Sequence, residues 1–202
     1  IAANGYVWTG VGQATRNHFP DLKYLEEKDY PSENNSSIVF RLSYGKFDYF
    51  TGGDISFRGA EHGDISDQWK DIETPVARAT GPVDVLKANH HANYDANSAF
   101  FLNMLRPRVI VMHTWLAPQP AMSTWRRMVT QEVYQGPRDI FATNIHEAKR
   151  VVMGTEFDKM KSRQGHVVSR VQPGGASYYI YVLDDAAESY LIKSVHGPYD
   201  SN

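Results

Sequence analysis

The chain has 202 residues, of which 42% are hydrophobic and 12% aromatic, which is enough apolar material for one domain with a sizeable core and excludes an intrinsically disordered chain. Its 21 basic and 23 acidic residues leave a formal net charge of -2, which gives no electrostatic signal for binding nucleic acid or an anionic membrane. The absence of cysteine excludes disulfides and thiolate metal sites, and no apolar run reaches the ~20 residues that a membrane-spanning helix needs.

The first 51 residues predict a short strand, a long polar loop and a β-hairpin. Aromatic and β-branched residues between glycines predict a strand around Tyr6–Trp8. Residues 14–35 are polar and typical of a loop with at most one helical turn. The runs SIVFRL at 37–42 and FDYFT at 47–51 are rich in strand-forming residues, and the turn at Tyr44-Gly45-Lys46 joins them into a hairpin.

Helical and strand patterns then alternate up to residue 112. Asp64–Asp67 offer N-cap residues for a helix at 68–79, which Pro75 should kink or divide. The following elements are a buried strand at 83–88, a helix at 98–105 and a buried strand at 108–112. This alternation predicts an α/β fold with a layered sheet.

The remaining elements continue that pattern and then change character. A helix is predicted at 123–133, a strand at 139–142 and a partly helical stretch at 145–158. Two strands then flank the turn Pro173-Gly174-Gly175, and a third begins at Ser189. We therefore expect residues 1–202 to form a single domain with a C-terminal antiparallel β-meander over about 163–196.

Three polar residues follow predicted strands at the point where each strand ends. Asp54 comes after the flexible pair Gly52-Gly53, and His90 and His91 come after the strand at 83–88. Because ligands of open α/β sheets collect at the carboxyl ends of the strands, we expect these side chains to converge. Carboxylate and imidazole are ligands of hydrolytic metal sites, so the pattern indicates a candidate catalytic metal site.

Ordinary structural roles also fit these residues. Asp54 after two glycines is typical of an Asx turn. His90 and His91 also fit an exposed loop pair, one of them capping the helix near Ser98. His113, at the end of the strand 108–112, fits a partly buried imidazole with a hydrogen-bond partner.

Four short segments between about residues 30 and 145 form a composite pattern. They are Glu33-Asn34-Asn35-Ser36-Ser37, Gly53-Asp54, Asp84-Val85-Leu86-Lys87 and His90-His91. With these segments the chain resembles the metallo-β-lactamase superfamily. Within it, the similar branch contains the hydrolase domain of competence DNA-uptake channels and the phosphorylcholine esterases. The resemblance implies an αββα sandwich with a two-metal site between its sheets.

The resemblance also implies roles for individual residues. Asp54 corresponds to the carboxylate that bridges two ions, and one of His90 and His91 corresponds to a metal-ligating imidazole. Where the family has a His-Pro after a strand, this chain has Gln119-Pro120, with His113 upstream as a further candidate ligand. The implied cofactor is a pair of divalent ions, zinc or manganese. The implied activity is hydrolysis of a phosphodiester or related ester, with a small-molecule or phosphoester substrate.

One motif of the superfamily is missing from the sequence. No H-x-H-x-D-H run occurs in the 202 residues, and the chain begins with Ile1 rather than Met. We therefore expect the second half of a longer domain, which alone holds metal weakly or not at all. The strands that carry Ile38, Phe40, Phe47 and Phe50 should then lack a packing partner, and the chain should self-associate or bind the first half of the domain.

A second interpretation belongs to a different class of protein. The chain would be a catalytically inactive interaction module derived from the same fold, which binds a partner through its C-terminal β-meander. The missing motif and Gln119 both favour this alternative. The sequence leaves the compartment open among secreted, periplasmic and cytoplasmic.

Overall fold

The computed structural model describes residues 1–58 and 65–202, and these residues form three β-sheets and four α-helices. The strands are β1 Ala2–Ala3, β2 Tyr6–Trp8, β3 Thr15–Asn17, β4 Phe40–Tyr44, β5 Phe47–Thr51, β6 Val85–Lys87, β7 Val109–Met112, β8 Asp139–Ala142, β9 His166–Val171, β10 Ser177–Leu183 and β11 Ile192–Asp200. The helices are α1 Glu73–Thr80, α2 Ala99–Leu105, α3 Met122–Val129 and α4 Glu147–Met153. The 3-10 turns are Leu22–Tyr24, Glu27–Asp29, Ile65–Lys70, Asn89–Ala92 and Gly154–Lys159.

The central sheet has five strands in the order β4-β5-β6-β7-β8. β4 and β5 form the predicted antiparallel hairpin, and β5 to β8 run parallel to one another. The carboxyl ends of four strands therefore meet at one edge of this sheet. The chain is a mixed α/β protein, as the alternation of helical and strand patterns predicts.

Two hydrophobic layers enclose the central sheet. On one face Phe50, Leu86 and Ile110 pack with helix residues that include Phe101 and Trp125, all fully buried. On the other face the sheet packs against the three-stranded sheet β9-β10-β11. The residues of that second layer are Phe47, Val85, Val109, Val111 and Phe141 from the central sheet with Tyr178, Ile180, Val182 and Tyr199 from the C-terminal strands. Each such buried side chain contributes about 1.5–3 kcal/mol of transfer free energy.

The C-terminal sheet is the predicted meander, and it covers a face of the central sheet rather than extending it. Its last strand runs from Ile192 to Asp200, beyond the predicted end at about 196. The turn that joins β9 to β10 packs directly against the β4–β5 turn. A Cβ atom added at Gly175 would overlap the carbonyl of Tyr44, so this approach of two backbones needs glycine.

Several predicted boundaries differ from the structure. β4 begins at Phe40 rather than Ser37, because Val39 pairs with Ala2 instead of continuing the hairpin. β3 lies in the stretch 14–35 that was predicted as loop. The helix predicted at 68–79 starts only at Glu73, which places Pro75 in its first turn, where a missing N–H breaks no hydrogen bond. Asp64, predicted as an N-cap residue, lies outside the described residues.

One row of apolar side chains remains uncovered along the outer strand. Ile38, Phe40, Leu42 and Tyr44 occupy alternate positions and expose 72%, 47%, 58% and 52% of their surface. Phe47 and Phe50, which were expected to share that exposure, are instead buried. The expectation of uncovered apolar residues is therefore confirmed for β4 and wrong for β5. No helix within residues 1–58 and 65–202 is long and apolar enough to cross a membrane.

Candidate functional site

The candidate site lies at the edge of the central sheet where the parallel strands end. Asp54 follows β5, His90 and His91 follow β6, and His113 follows β7. Gly53 has a φ of 59°, and a Cβ atom at this position would lie 2.8 Å from the Ser37 hydroxyl. That hydroxyl instead accepts a hydrogen bond of 3.1 Å from the backbone N–H of Asp54. The predicted bend after β5 thus fixes where Asp54 leaves the sheet.

Asp54 and His91 converge as predicted. The distance from His91 Nε2 to Asp54 Oδ2 is 3.3 Å. The other ring nitrogen of His91, Nδ1, lies 2.8 Å from the carbonyl oxygen of His113. Because a carbonyl only accepts hydrogen bonds, Nδ1 carries the proton and Nε2 faces the carboxylate. The rings of His91 and Trp115 pack in a T-shaped arrangement, with their centroids 4.3 Å apart.

This arrangement of His91 has two chemical interpretations. A protonated His91 would form a simple ion pair with Asp54. A neutral His91 would turn a lone pair towards the carboxylate, which is unfavourable unless a proton or a metal cation lies between them. Two donors on one tetrahedral zinc ion, each about 2.1 Å from it, lie about 3.4 Å apart, close to the observed 3.3 Å. A backbone carbonyl on the far nitrogen is also the usual support of a metal-ligating imidazole.

His90 points away from this pair. Its Nδ1 lies 3.0 Å from Asp95 Oδ1, and this contact raises the pKa of His90. Its Nε2 lies 3.4 Å from the side-chain amide of Asn34. His90, His91 and Ala92 have φ values of 44°, 53° and 57°, and these three consecutive left-handed residues separate the two rings. Of the two histidines, His91 is therefore the one that the backbone brings to Asp54.

A buried carboxylate holds the strained turn that carries both histidines. Glu73, in α1, is fully buried and accepts hydrogen bonds from the Asn89 side chain at 2.8 Å, from Asn97 N at 2.5 Å and from Ser98 N at 2.9 Å. Asn97 and Asn89 also exchange two hydrogen bonds of 2.9 Å. Burial raises the pKa of Glu73 to about 7. Strained backbone of this kind persists only where the surroundings determine it, and Glu73 supplies that support.

Lys87 is a further charged residue of the site. It ends β6, is buried, and donates a hydrogen bond of 2.9 Å from Nζ to the carbonyl of Gly53. Nζ also lies 3.9 Å from Asp54 Oδ1. Burial lowers the pKa of Lys87, and the charge of Asp54 opposes that shift. The sequence prediction did not include Lys87 or Glu73 among the site residues, and the only available signal for Lys87 was its position in a strand end next to two histidines.

His113 and Gln119 have supporting roles in this geometry. The carbonyl of His113 orients His91, while desolvation, then the charges of Lys87 and His91, lower the pKa of the His113 side chain. Gln119 Oε1 accepts hydrogen bonds from the backbone N–H groups of Trp115 and Leu116, at 3.2 and 3.3 Å. Gln119 therefore closes the turn after β7.

The four candidate ligands do not form one metal cluster. Asp54 and His91 lie together, His90 pairs with Asp95, and His113 contributes a carbonyl contact. Within the part of the chain that the structure describes, no group of three or more His, Cys, Asp or Glu side chains is arranged to hold a metal ion. Of the four candidate ligands, the structure therefore brings only the side chains of Asp54 and His91 together.

A polar cavity of about 420 Å³ borders the site on the His90 side. Its lining residues are Lys28, Tyr30, Ser32, Asn34, Asn35, Ser56, Arg58, Lys70, His90 and Asp95. His90 links the two regions, because its ring centroid lies 6.3 Å from that of His91.

Comparison with protein-family models finds no match to this chain, and comparison with curated proteins finds no significant match either.

Proposed function

We propose that Asp54 and His91 are two ligands of a divalent-metal site in a hydrolase of phosphodiesters or related esters, built on an αββα fold of the metallo-β-lactamase type. The observation that carries the proposal is the geometry of His91. Its Nδ1 donates to a carbonyl while its Nε2 lies 3.3 Å from Asp54 Oδ2. A surface ion pair does not require this support of the second nitrogen, whereas a metal ligand commonly has it.

Each residue of the site has a part in this proposal. A bound divalent ion supplies Lewis acidity towards the ester oxygen and towards water. Asp54 and His91 hold the ion, and Trp115 shields the imidazole from solvent on one side. Lys87 fixes the Gly53 carbonyl next to Asp54 and adds a positive charge for an anionic ester. The hydrogen bonds to Glu73 keep the His91 turn in place.

Two donors are fewer than a catalytic metal site uses. Such sites commonly have three protein ligands and one open position. Under this proposal the remaining ligands come from a further protein segment with the H-x-H-x-D-H motif, and the 202 residues alone hold metal weakly.

Paramagnetic broadening tests this assignment, because it detects weak binding. Titration of the ¹⁵N-labelled chain with Mn²⁺ should broaden the backbone resonances of residues 53–55 and 89–92 first. Asp54→Asn and His91→Ala should abolish that effect, and the control His166→Ala, an exposed histidine on β9, should retain it. Broadening that is centred on other residues, or that survives in Asp54→Asn, would exclude the metal assignment.

The exposed row on β4 favours a second candidate function, a non-catalytic interaction module. β4 is the outermost strand of the central sheet, and a strand edge next to exposed apolar side chains is a template for pairing with another chain. The sequence-based alternative assigned this contact to the C-terminal meander. In the structure the inward face of that meander is buried against the central sheet, while Val168, Ile192 and Val195 on its strands remain exposed, so the meander and β4 both keep exposed apolar residues. Sedimentation of the purified chain tests this candidate, since a second copy pairing through β4 gives a concentration-dependent dimer.

A further inference from the structure

Trp115 lies directly beside the proposed metal ligand His91 and is only half covered. Their rings form a T-shaped pair with an interplanar angle of 75°. Trp115 still exposes 50% of its surface, whereas Trp8 and Trp69 are partly buried and Trp125 is fully buried. In a T-shaped pair the imidazole covers at most one face of the indole ring. An aromatic surface next to the candidate site is therefore open to solvent.

The turn after β7 fixes the position of this ring. The buried side chain of Gln119 accepts a hydrogen bond of 3.2 Å from the backbone N–H of Trp115. Two residues further on, the backbone N–H of Ala121 donates to the carbonyl of Ala92 at 2.9 Å, which ties the turn to the segment that carries both histidines. Because the backbone that carries the ring is already ordered, a ligand that binds to the ring has little conformational entropy to remove.

Packing within the protein accounts for only part of the Trp115 ring. Trp125 shows how the chain buries a tryptophan for stability, since it is fully buried and makes a T-shaped contact with Phe157 at a centroid distance of 5.3 Å. Trp115 leaves half of its surface in water, although burial of apolar surface is worth about 25 cal/mol per Å². A ligand that covers the exposed part of the ring gains this free energy.

The chemistry of the indole ring indicates which kind of ligand fits it. A flat π-system favours another flat π-system in an offset-stacked arrangement. Stacking of a nucleobase on an aromatic side chain is worth about 1–3 kcal/mol and requires no particular hydrogen-bond pattern. An aliphatic group of similar size gains only the apolar burial. The centroid distance of 4.3 Å between Trp115 and His91 places the indole within a few covalent bonds of an ester held at the proposed metal ligands.

We propose that Trp115 binds the planar aromatic group of a small-molecule ester, either a nucleobase or an aryl ring, and so determines which esters the site accepts. The identification of this planar group as part of a substrate rests on the proposed hydrolase function. The stacking contact itself depends on Trp115 and does not need the metal ion.

Ligand pairs that differ in one group test this assignment. Adenosine 5′-monophosphate is compared with ribose 5-phosphate, which lacks the base, and phenyl phosphate is compared with cyclohexyl phosphate, which is not planar. In the ¹⁵N-labelled chain with EDTA present, the two planar ligands should shift the indole N–H resonance of Trp115 saturably. Their partners should bind at least about tenfold more weakly, which corresponds to about 1.4 kcal/mol. The tighter of the two planar ligands distinguishes a nucleoside ester from an aryl ester.

Variants of the ring separate stacking from simple apolar contact. Trp115→Leu keeps an apolar side chain but removes the π-system, so it should weaken the binding of both planar ligands about tenfold, as followed on the backbone resonances of residues 113–117. Trp115→Phe retains an aromatic ring and should lose less affinity than Trp115→Leu. Trp8→Phe is the matched control at a tryptophan on β2, and it should bind both ligands as the wild type does.

The same experiment separates this inference from the proposed function. Asp54→Asn removes a proposed metal ligand, and we expect it to keep the preference for phenyl phosphate over cyclohexyl phosphate. The stacking proposal is overturned if neither planar ligand shifts the Trp115 resonance, if cyclohexyl phosphate binds as tightly as phenyl phosphate, or if Trp115→Leu binds both planar ligands like the wild type. A single-stranded oligonucleotide that binds far more tightly than adenosine 5′-monophosphate would overturn the assignment to a small molecule.

Discussion

The turn after β6 and the outer strand β4 differ both in backbone strain and in whether their side chains have partners. The turn has three consecutive left-handed residues, yet the side-chain amide of Asn89 within it is hydrogen-bonded to the fully buried Glu73. β4 has regular backbone, yet the apolar row of Phe40, Leu42 and Tyr44, with Ile38 just before the strand, stays exposed. Strained backbone that a buried residue holds in place indicates that the side chains of that turn must be positioned precisely, as in a ligand site. A regular strand with uncovered apolar side chains indicates a contact surface.

The largest effect is expected when Glu73, which supports the turn, is removed. Glu73→Ala leaves the Asn89 amide and the Asn97 and Ser98 N–H groups buried without an acceptor. Because each unsatisfied buried group costs about 1–3 kcal/mol, we expect the free energy of unfolding to fall by about 3 kcal/mol or more in urea titrations. Glu147→Ala, at an exposed position in the first turn of α4, should change it by less than about 0.5 kcal/mol. Equal effects of the two variants would contradict the role of Glu73.

The second prediction concerns the pH dependence that Glu73 produces. Burial raises its pKa to about 7, above the value near 4.5 for an exposed glutamate. The folded state therefore binds this proton more tightly than the unfolded state. Its contribution to stability is complete below about pH 4.5, falls as the pH rises to about 7, and is absent above that.

Glu73→Gln isolates this contribution. The free energy of unfolding of the wild type minus that of Glu73→Gln should decrease from pH 5 to pH 7 by no more than about 3 kcal/mol and then level off. Urea titrations of both proteins at several pH values measure it, and titrating groups common to both cancel. A difference that is constant with pH would show that Glu73 stays ionised in the folded protein.

The positions of most strands were predictable from the sequence because they depend on local composition. Short apolar runs identified β5 to β8, and the rule that ligands collect at the carboxyl ends of strands predicted that Asp54 approaches the His90–His91 pair, of which His91 does so. The proposed fold family and metal role remain predictions.

The supporting residues of the site were not predictable in the same way. Glu73 lies in the first turn of a short helix, a position where glutamate is usually solvated, and only the tertiary packing buries it. The choice between His90 and His91 depends on φ values that residues other than glycine rarely adopt, so composition carries no signal for it. β3 was missed because the sequence TRN has little apolar content and every side chain of that strand is exposed.

The third prediction tests the exposed row on β4. If two copies pair through this strand, Phe40→Lys and Leu42→Lys should weaken dimerisation at least about tenfold, because each places a charge in the apolar contact. Val151→Lys, at an equally exposed apolar position on α4, is the control and should leave association unchanged. Sedimentation equilibrium at several concentrations measures the constants. A wild-type chain that stays monomeric at all concentrations would rule out self-association through β4.

The smallest expected effect comes from the hydrogen bond that positions Asp54. Ser37 precedes β4, and its hydroxyl accepts the hydrogen bond of 3.1 Å from Asp54 N, so the segment that leads into the outer strand contacts the site. Ser37→Ala removes that acceptor at a partly buried position, and we expect the free energy of unfolding to fall by about 1 kcal/mol. Ser189→Ala, at an exposed loop position, should have no measurable effect.

A stability change alone would not show that Ser37 positions Asp54. The Mn²⁺ titration provides the second readout, since a displaced carboxylate weakens the broadening of residues 53–55. Loss of stability with unchanged Mn²⁺ broadening would limit Ser37 to a structural role. Loss of both would show that the hydrogen bond from Asp54 N to Ser37, and not the sheet edge alone, sets the position of the proposed ligand.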